Sequence, residues 1–464
     1  MKNNFTASGE VFDWISGFIN LERGQTPKSF RLDRMEALMD IAGHPQKCAP
    51  SIHIAGSKGK GSVTGMLTAI LCAAGYRAAR YMSPHVTDIR ERICLGDSFF
   101  NEKIYCAAGN KLRQIVEKQF PALANPLFCP DNPDGCEPTF WELLTLLFFL
   151  CAKEAECDVM VVETGMGRRL DSTNVLDPLV SVITLIELEH TAFLGNTIEA
   201  IAGEKAGIIK KDKPLILAEQ KKEALNVFKK KAQEMNSQLF YFPEIAELTD
   251  LNITPCGTDF TLSIANCPLP PARFSLPIPG KVQAQNAALA IAAVKTAFPQ
   301  IDQEAISNGL KNLKIPGRFE KIQNKDSPDI DSFTPFIIDG AHTPESLTLC
   351  LETFCSLYGD GGILIFGCGA DKDAAAMAKI ACSYFSKIII TTPGNFKISN
   401  PQKIYEIFRQ ITGEEKTILI ADTCEAVKQA QEIAHRKKLP VLGTGSFYLV
   451  SEIRNFFYKG TSKN

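Results

Sequence analysis

Residues 51–62 read SIHIAGSKGKGS. The spacing Gly56-x-x-Gly59-Lys60-Gly61-Ser62 can hold phosphate. Glycines let a backbone curl close to phosphate oxygens, and unpaired N–H groups at a helix start favour an anion. Lys60 can reach terminal phosphates, and the Ser62 hydroxyl can bind Mg²⁺. The longer form of this loop needs glycine at position 54, where Ile54 stands, so the match is to a shorter variant. The alternative is a flexible turn of small residues. A strand-like run before the loop and a helix-like run after it favour phosphate binding.

Two further candidates stand where strands end. Glu163 closes VMVVE, and Glu189 with His190 closes VITLIELEH. Ligands of open α/β sheets bind at the carboxyl ends of strands. A carboxylate and a neutral imidazole there could complete a Mg²⁺ shell around a nucleotide. Taken alone, His190 reads as an ordinary polar residue at the rim.

The elements that must carry these residues follow one grammar: short strand, small-residue turn, periodic helix. SIHIAG leads into SVTGMLTAILCAAG, where Val63, Met66, Leu67, Ile70 and Leu71 share a helical face and Gly75 suits a stop. The near-continuous apolar runs VMVVE and VSVITLI fit a parallel sheet covered on both faces. NTIEAIAGEKAG opens on Asn196 as the expected N-cap. After about residue 310 the grammar restarts in FIIDGAH, GILIFGCGADKD, KIIITTPG, TILIADT and PVLGTGS. Two α/β domains are expected, meeting near Ile315–Glu320. Pro121–Pro138 reads as an exposed loop without chemistry.

The chain has 464 residues, more than one hydrophobic core usually supports. A formal net charge of −2 excludes the basic excess of a nucleic-acid binder. The run LLTLLFFLCA is too short to span a bilayer, and the N-terminus shows no secretory h-region. Fifteen cysteines contain no Cys-x-x-Cys and fall singly in apolar runs, as at Cys72, Cys151 and Cys382. Reduced core thiols in a cytoplasmic protein are expected, with no nucleic-acid or membrane partner.

Taken in order, several motifs resemble the folylpolyglutamate synthase and dihydrofolate synthase family, within the Mur ligase group. They are HIAGSKGKGS, YMSPHVTDIRERI, PTFWELLTLLFF, ETGMGRRLDSTN, LEHTAFLGNTIEAIAGEKAGIIK, GRFE, DGAH and GSFYLV. The resemblance covers nearly the whole chain. It implies a P-loop-type N-terminal ATPase domain with a mostly parallel sheet, residues 1–312. A smaller Rossmann-like α/β C-terminal domain, residues 313–464, would follow. It also implies a monomer that uses ATP and two Mg²⁺ ions to add L-glutamate to dihydropteroate or a reduced folate, through an acyl phosphate.

Residue by residue, the resemblance assigns Gly59, Lys60, Gly61 and Ser62 to the ATP phosphates. Ser62, Ser83, Glu163 and His190 would bind magnesium. Lys205 would be carbamylated and join them, although sequence alone reads it as a solvated helix residue. Lys60, Lys205 and His190 form the expected catalytic set. Asn286, Arg318, Asp339 and His342 would contact the nucleotide. Phe140, Leu170, Asp171 and Ser172 would line the acceptor site, with core packing the other reading of Phe140. The chain departs from the family pattern at Lys58, Arg168, Glu189, Val282 and Thr343, and SFRLDRM matches only loosely. Two other readings remain open here. One is a Mur-type peptide ligase with another carboxylate acceptor, and the other is a non-catalytic ATP-binding relative.

Overall fold

Strand β1, Ser51–Ala55, lies in the interior of an eight-stranded sheet, and all five of its residues are buried. The computed structural model describes residues 4–20, 31–123, 138–165, 167, 169–189, 194–265, 269–322, 334–394 and 398–459. In chain order the other strands of this sheet are β2 (Ala78–Tyr81), β3 (Ile93–Leu95), β4 (Ser98–Phe99) and β5 (Val159–Glu163). They continue with β6 (Val180–Ile183), β7 (Leu215–Leu217) and β8 (Leu239–Tyr241). The spatial order is β4-β3-β2-β5-β1-β6-β7-β8. Pairings are parallel from β2 to β8, and β3 and β4 add an antiparallel edge. Both faces are covered, which is why these strands read as unbroken apolar runs.

Register fixes where the site forms. Ile54 pairs with Glu163, and Ala55 pairs with Ile183. Tyr81 of β2 pairs with Val162. Four neighbouring strands thus end level, and the loops after them open on one edge of the sheet.

A smaller six-stranded sheet follows. Its strands are β12 (Glu320–Lys321), β13 (Phe336–Ile338), β14 (Gly362–Phe366), β15 (Phe385–Ile390), β16 (Thr417–Leu419) and β17 (Val441–Thr444). Their order is β12-β13-β17-β14-β15-β16, parallel except for β12. Each apolar run named after residue 310 supplies one of these strands. Between the two sheets in chain order comes a three-stranded antiparallel sheet: β9 (Ala246–Thr254), β10 (Gly257–Ile264) and β11 (Ala272–Leu276). It was not expected, because β9 is polar and mostly exposed.

Three local expectations are corrected. Thr197, not Asn196, caps the helix Ile198–Lys205. Its hydroxyl accepts from Ala200 N at 3.2 Å and its backbone is extended, as an N-cap requires. The helix Glu102–Leu123 runs past Pro121, so the expected loop begins later, and residues 124–137 lie outside the described ones. Cys72 is exposed at a helix end, whereas Cys151 and Cys382 are buried thiols.

The helix Lys60–Ala73 packs on the sheet through Val63, Met66, Leu67, Ile70 and Leu71, all fully buried. Its other side meets the helix Gln303–Lys311 almost backbone to backbone. A Cβ on Gly309 would lie 2.5 Å from Ile70 Cα and 2.7 Å from the Ala69 carbonyl oxygen. Gly309→Ala must push the helices apart. It is expected to cost about 1–3 kcal/mol, read as a lower urea midpoint at unchanged slope. An unchanged midpoint would contradict this close approach.

Candidate active site

The Gly56–Ser62 loop follows β1 directly and is fastened to β6. Ser57 N and Lys58 N both donate to the Leu185 carbonyl, at 2.9 and 3.1 Å. Gly59 is required twice over. Its φ is +91°, and a Cβ would lie 2.5 Å from Asn286 Oδ1. Asn286, in the first turns of the helix Lys281–Ala297, therefore packs directly on the loop. The helix begins at Lys60, with Gly61 and Ser62 in its first turn. Lys60 Nζ donates to the Gly56 carbonyl at 2.8 Å and to Ser57 O at 3.4 Å.

Lys205 is the largest departure from a residue-by-residue reading. It is wholly buried, not solvated, because the last turn of its helix lies beneath the loop. Its Nζ donates to the Gly56 carbonyl at 2.8 Å and to Glu189 Oε1 at 2.8 Å. Burial pulls its pKa down to about 8, with the Glu189 carboxylate opposing that shift and Lys60 adding to it. Glu189, where the family pattern has the shorter acid, thus has a defined task. His190 lies outside the described residues.

Glu163 is 3% exposed at the end of β5 and faces the loop. A Cβ on Gly61 would lie 3.6 Å from Glu163 Oε2 and 3.5 Å from Arg318 Nη2. Glu163 Oε2 accepts from Ser83 N at 3.3 Å, which draws the segment after β2 to the same point. Glu91 holds that segment in shape by accepting from Val86 N, Thr87 N and Asp88 N. Among the described residues no three of His, Cys, Asp and Glu form a metal cage. Mg²⁺ does not need one: it keeps waters and takes one or two carboxylates plus substrate phosphates. Glu163 with the Ser62 and Ser83 segments is a donor set of that kind.

The second sheet brings its own groups to this point. The Arg318 guanidinium stacks on the Phe447 ring at 4.1 Å. A Cβ on Gly340 would strike the same ring at 2.2 Å, so Phe447 seats both strand-end turns. Asp339 accepts from Phe319 N and Ala341 N, each at 2.8 Å. His342 Nδ1–H donates to the Gly340 carbonyl at 2.8 Å, since a carbonyl can only accept, and burial holds its pKa well below the usual value. Thr343 caps the following helix, a task open to threonine and asparagine alike. Lys58 and Arg318 lie near enough to His342 to lower its pKa further, and Asp339 acts on Arg318, so the four groups meet across the two sheets.

The expected acceptor residues divide. Phe140 is 2% exposed and packs in the core beside Trp141. Leu170 and Ser172 are half-buried. Ser172 Oγ lies 2.7 Å from Thr145 Oγ1. Both oxygens of Asp171 are committed to its own loop, to Gly167 N and to Thr173 N and Oγ1.

Residue-type reasoning missed His53. It is fully buried within β1, its pKa is lowered by burial to about 3, and its Nε2 lies 2.9 Å from Thr173 Oγ1. Thr173 donates its one proton to Asp171 Oδ1, so His53 Nε2–H must be the donor to Thr173. This chain ties the strand before one loop to the turn after another. The signal was present: an imidazole inside the apolar run SIHIA.

Burial raises the Glu163 pKa to about 7 from 4.5, with Lys60, the Ser83 N–H, Arg318 and Arg92 opposing. The folded protein therefore keeps this proton to higher pH than the unfolded chain, and folding weakens as pH rises through that window. Glu163→Gln cannot ionise. Relative to wild type, it is expected to gain of order 2–3 kcal/mol between about pH 5 and pH 8, by urea unfolding without nucleotide or metal. Parallel pH profiles would contradict the assignment.

Residues 131–294 match the Mur ligase middle domain, and residues 317–447 match the Mur ligase glutamate ligase domain. A dihydrofolate synthase/folylpolyglutamate synthase of Bacillus subtilis is 32% identical, over 97% of this chain and 99% of its own. The folylpolyglutamate synthase of Lacticaseibacillus casei is 30% identical, over 92% and 95%. The solved structure of Mycobacterium tuberculosis folylpolyglutamate synthase, in complex with ADP and AMPPCP, superposes with a TM-score of 0.83 at 26% identity, covering 97% of this chain and 99% of that one. With strand ends, phosphate loop and whole-length similarity in agreement, the chain belongs to the folylpolyglutamate synthase/dihydrofolate synthase family of Mur ligases.

Proposed function

We propose that this chain is an ATP-dependent ligase joining the amine of L-glutamate to a carboxylate of dihydropteroate, of a reduced folate, or of both. ADP and phosphate are released. One observation carries the reading: Glu163, Lys205 and Arg318, from three remote segments, gather with Lys60 on the loop Gly56–Ser62. The names of the relatives supply the substrate class.

A free carboxylate is a poor electrophile. Phosphorylation by ATP converts it to an acyl phosphate, which the glutamate amine attacks. Phosphoryl transfer needs positioning and charge neutralisation, not a protein nucleophile. Gly59, Lys60, Gly61 and Ser62 cradle the phosphates in this reading. Asn286, Arg318, Asp339 and His342 orient the nucleotide from the helix Lys281–Ala297 and the second sheet. Ser62, Ser83, Glu163, His190 and a carbamate on Lys205 would hold two magnesium ions, which would supply further positive charge. A lysine with its pKa drawn down to about 8 has the neutral amine that adds CO₂. The acceptor lies along Leu170–Ser172, with Asp171 fixing that turn and Phe140 packed beneath. A boundary between residues 312 and 313 divides the two domains, and closure between them excludes water from the acyl phosphate. The enzyme works as a monomer. A cytoplasmic setting suits cysteines placed singly in apolar runs.

The discriminating assay is ADP release with dihydropteroate and tetrahydrofolate in parallel, each with and without L-glutamate. Release strictly dependent on both acceptor and glutamate is expected. Release indifferent to glutamate would overturn the reading. A folded Lys60→Ala variant is expected to lose this activity. Lys205→Ala should fall nearly to background and regain part of its rate when short carboxylic acids are added. Full turnover by either variant counts against its assigned role.

A further inference from the structure

Beside Lys205 lies a hydroxyl that the reaction scheme does not use. Gly167 sits at φ +74°, and a Cβ there would lie 3.0 Å from Lys205 Nζ and 3.2 Å from Thr164 Oγ1. The lysine nitrogen and the threonine hydroxyl therefore both close on the bare Cα of Gly167, more tightly than a side chain there would allow. Thr164 follows Glu163 at the end of β5 and is fully buried. Its backbone N–H is satisfied by Ile54 O at 2.9 Å, while its hydroxyl finds no hydrogen-bond partner among the described residues. A buried hydroxyl left without a partner is destabilising. Such a group beside a reactive amine points to something that belongs between them.

We propose that Thr164 is a positioning residue whose hydroxyl donates a hydrogen bond to a carbamate on Lys205, beside the bare Cα of Gly167. The inference rests on the reading that Lys205 is carbamylated. In that step the neutral amine attacks the carbon of CO₂, the N–C bond forms, and one C=O π pair moves to oxygen. The displaced N–H proton leaves to solvent. The product carries an anion that needs donors. Glu189 and Asp171, when ionised, can only accept and would repel it. The Thr164 hydroxyl can donate, and hydrogen bonds to charged acceptors are the stronger kind. With no side chain, Gly167 does not come between the two groups. Thr164 would thus fix the orientation in which the carbamate presents its oxygens toward Glu163 and the Gly56–Ser62 loop.

The test reads the carbamate itself, not turnover. The full-length chain is equilibrated with ¹³C-labelled bicarbonate, and the carbamate carbonyl resonance is followed as bicarbonate is raised. Wild type is expected to show a resonance that Lys205→Arg lacks. Thr164→Val keeps the shape but removes the donor, and should raise half-saturating bicarbonate about tenfold. Thr164→Ser keeps the hydroxyl and should stay within about twofold of wild type. Thr164→Ala repeats the donor loss without the second methyl and should shift like Thr164→Val. Saturation of the Val and Ala variants at the wild-type concentration overturns the role of Thr164 while leaving carbamylation intact. Absence of any Lys205-dependent resonance in wild type overturns carbamylation, and this inference with it.

Discussion

The Gly56 carbonyl oxygen accepts from two ammonium groups, Lys60 and Lys205, each at 2.8 Å. While Lys205 is unmodified, two positive charges gathered on one dipole repel each other. Unit charges roughly 4 Å apart at an effective dielectric of about 20 repel by about 4 kcal/mol, which sets the scale. Glu189 offsets part of it by pairing with Lys205. Glu163 adds negative charge on the other side of the loop to whatever extent it ionises, since burial raises its pKa. The arrangement is a basic point that the fold holds in place against its own electrostatics, next to a helix N-terminus that also favours an anion. The rest of the molecule can be understood as the scaffold that this point demands.

That scaffold works through strand register. Because β1, β2, β5 and β6 end level, groups more than a hundred residues apart meet without long loops. Close backbone contacts then set the remaining distances. Gly59 against Asn286, and Gly340 against Phe447, are approaches that no side chain would permit. Phe447 links the second sheet to the first: Arg318 lies flat on its ring and reaches the Gly61 side of the loop. Val86, from the segment that begins with Ser83, is buried with Ile338, Phe447 and Val450. Arg454 donates to Thr87 Oγ1 at 3.0 Å and also pairs with Glu320. The second sheet therefore grips the Ser83 segment directly, so movement of one part changes the geometry of the other.

Much of this could be read before any coordinates. The phosphate loop and Glu163 were legible because loop and strand end obey local rules of spacing and hydropathy. Strands β1, β5 and β6 of the first sheet and β13 to β17 of the second were legible for the same reason, whereas the short strands β2, β7 and β8 were not read. Lys205 was not: in IEAIAGEKAG it has the pattern of a solvated lysine, and only the packing of one helix end under a distant loop buries it. His53 and Thr164 were passed over because a single polar residue in an apolar strand leaves no periodic trace, although both are fully buried. The antiparallel sheet β9–β11 escaped because its first strand is polar and exposed. The family resemblance supplied Lys205, Arg318 and His342, which spacing alone could not.

The most direct test of the central claim is a structure of the chain with magnesium and a non-hydrolysable ATP analogue, in which one distance is read. Lys60 Nζ should exchange the Gly56 carbonyl for a terminal phosphate oxygen, at hydrogen-bonding distance of roughly 3 Å. Glu163 and Lys205 should face the same phosphates. A nucleotide bound elsewhere, or Lys60 still on Gly56 with no phosphate within reach, would contradict the account.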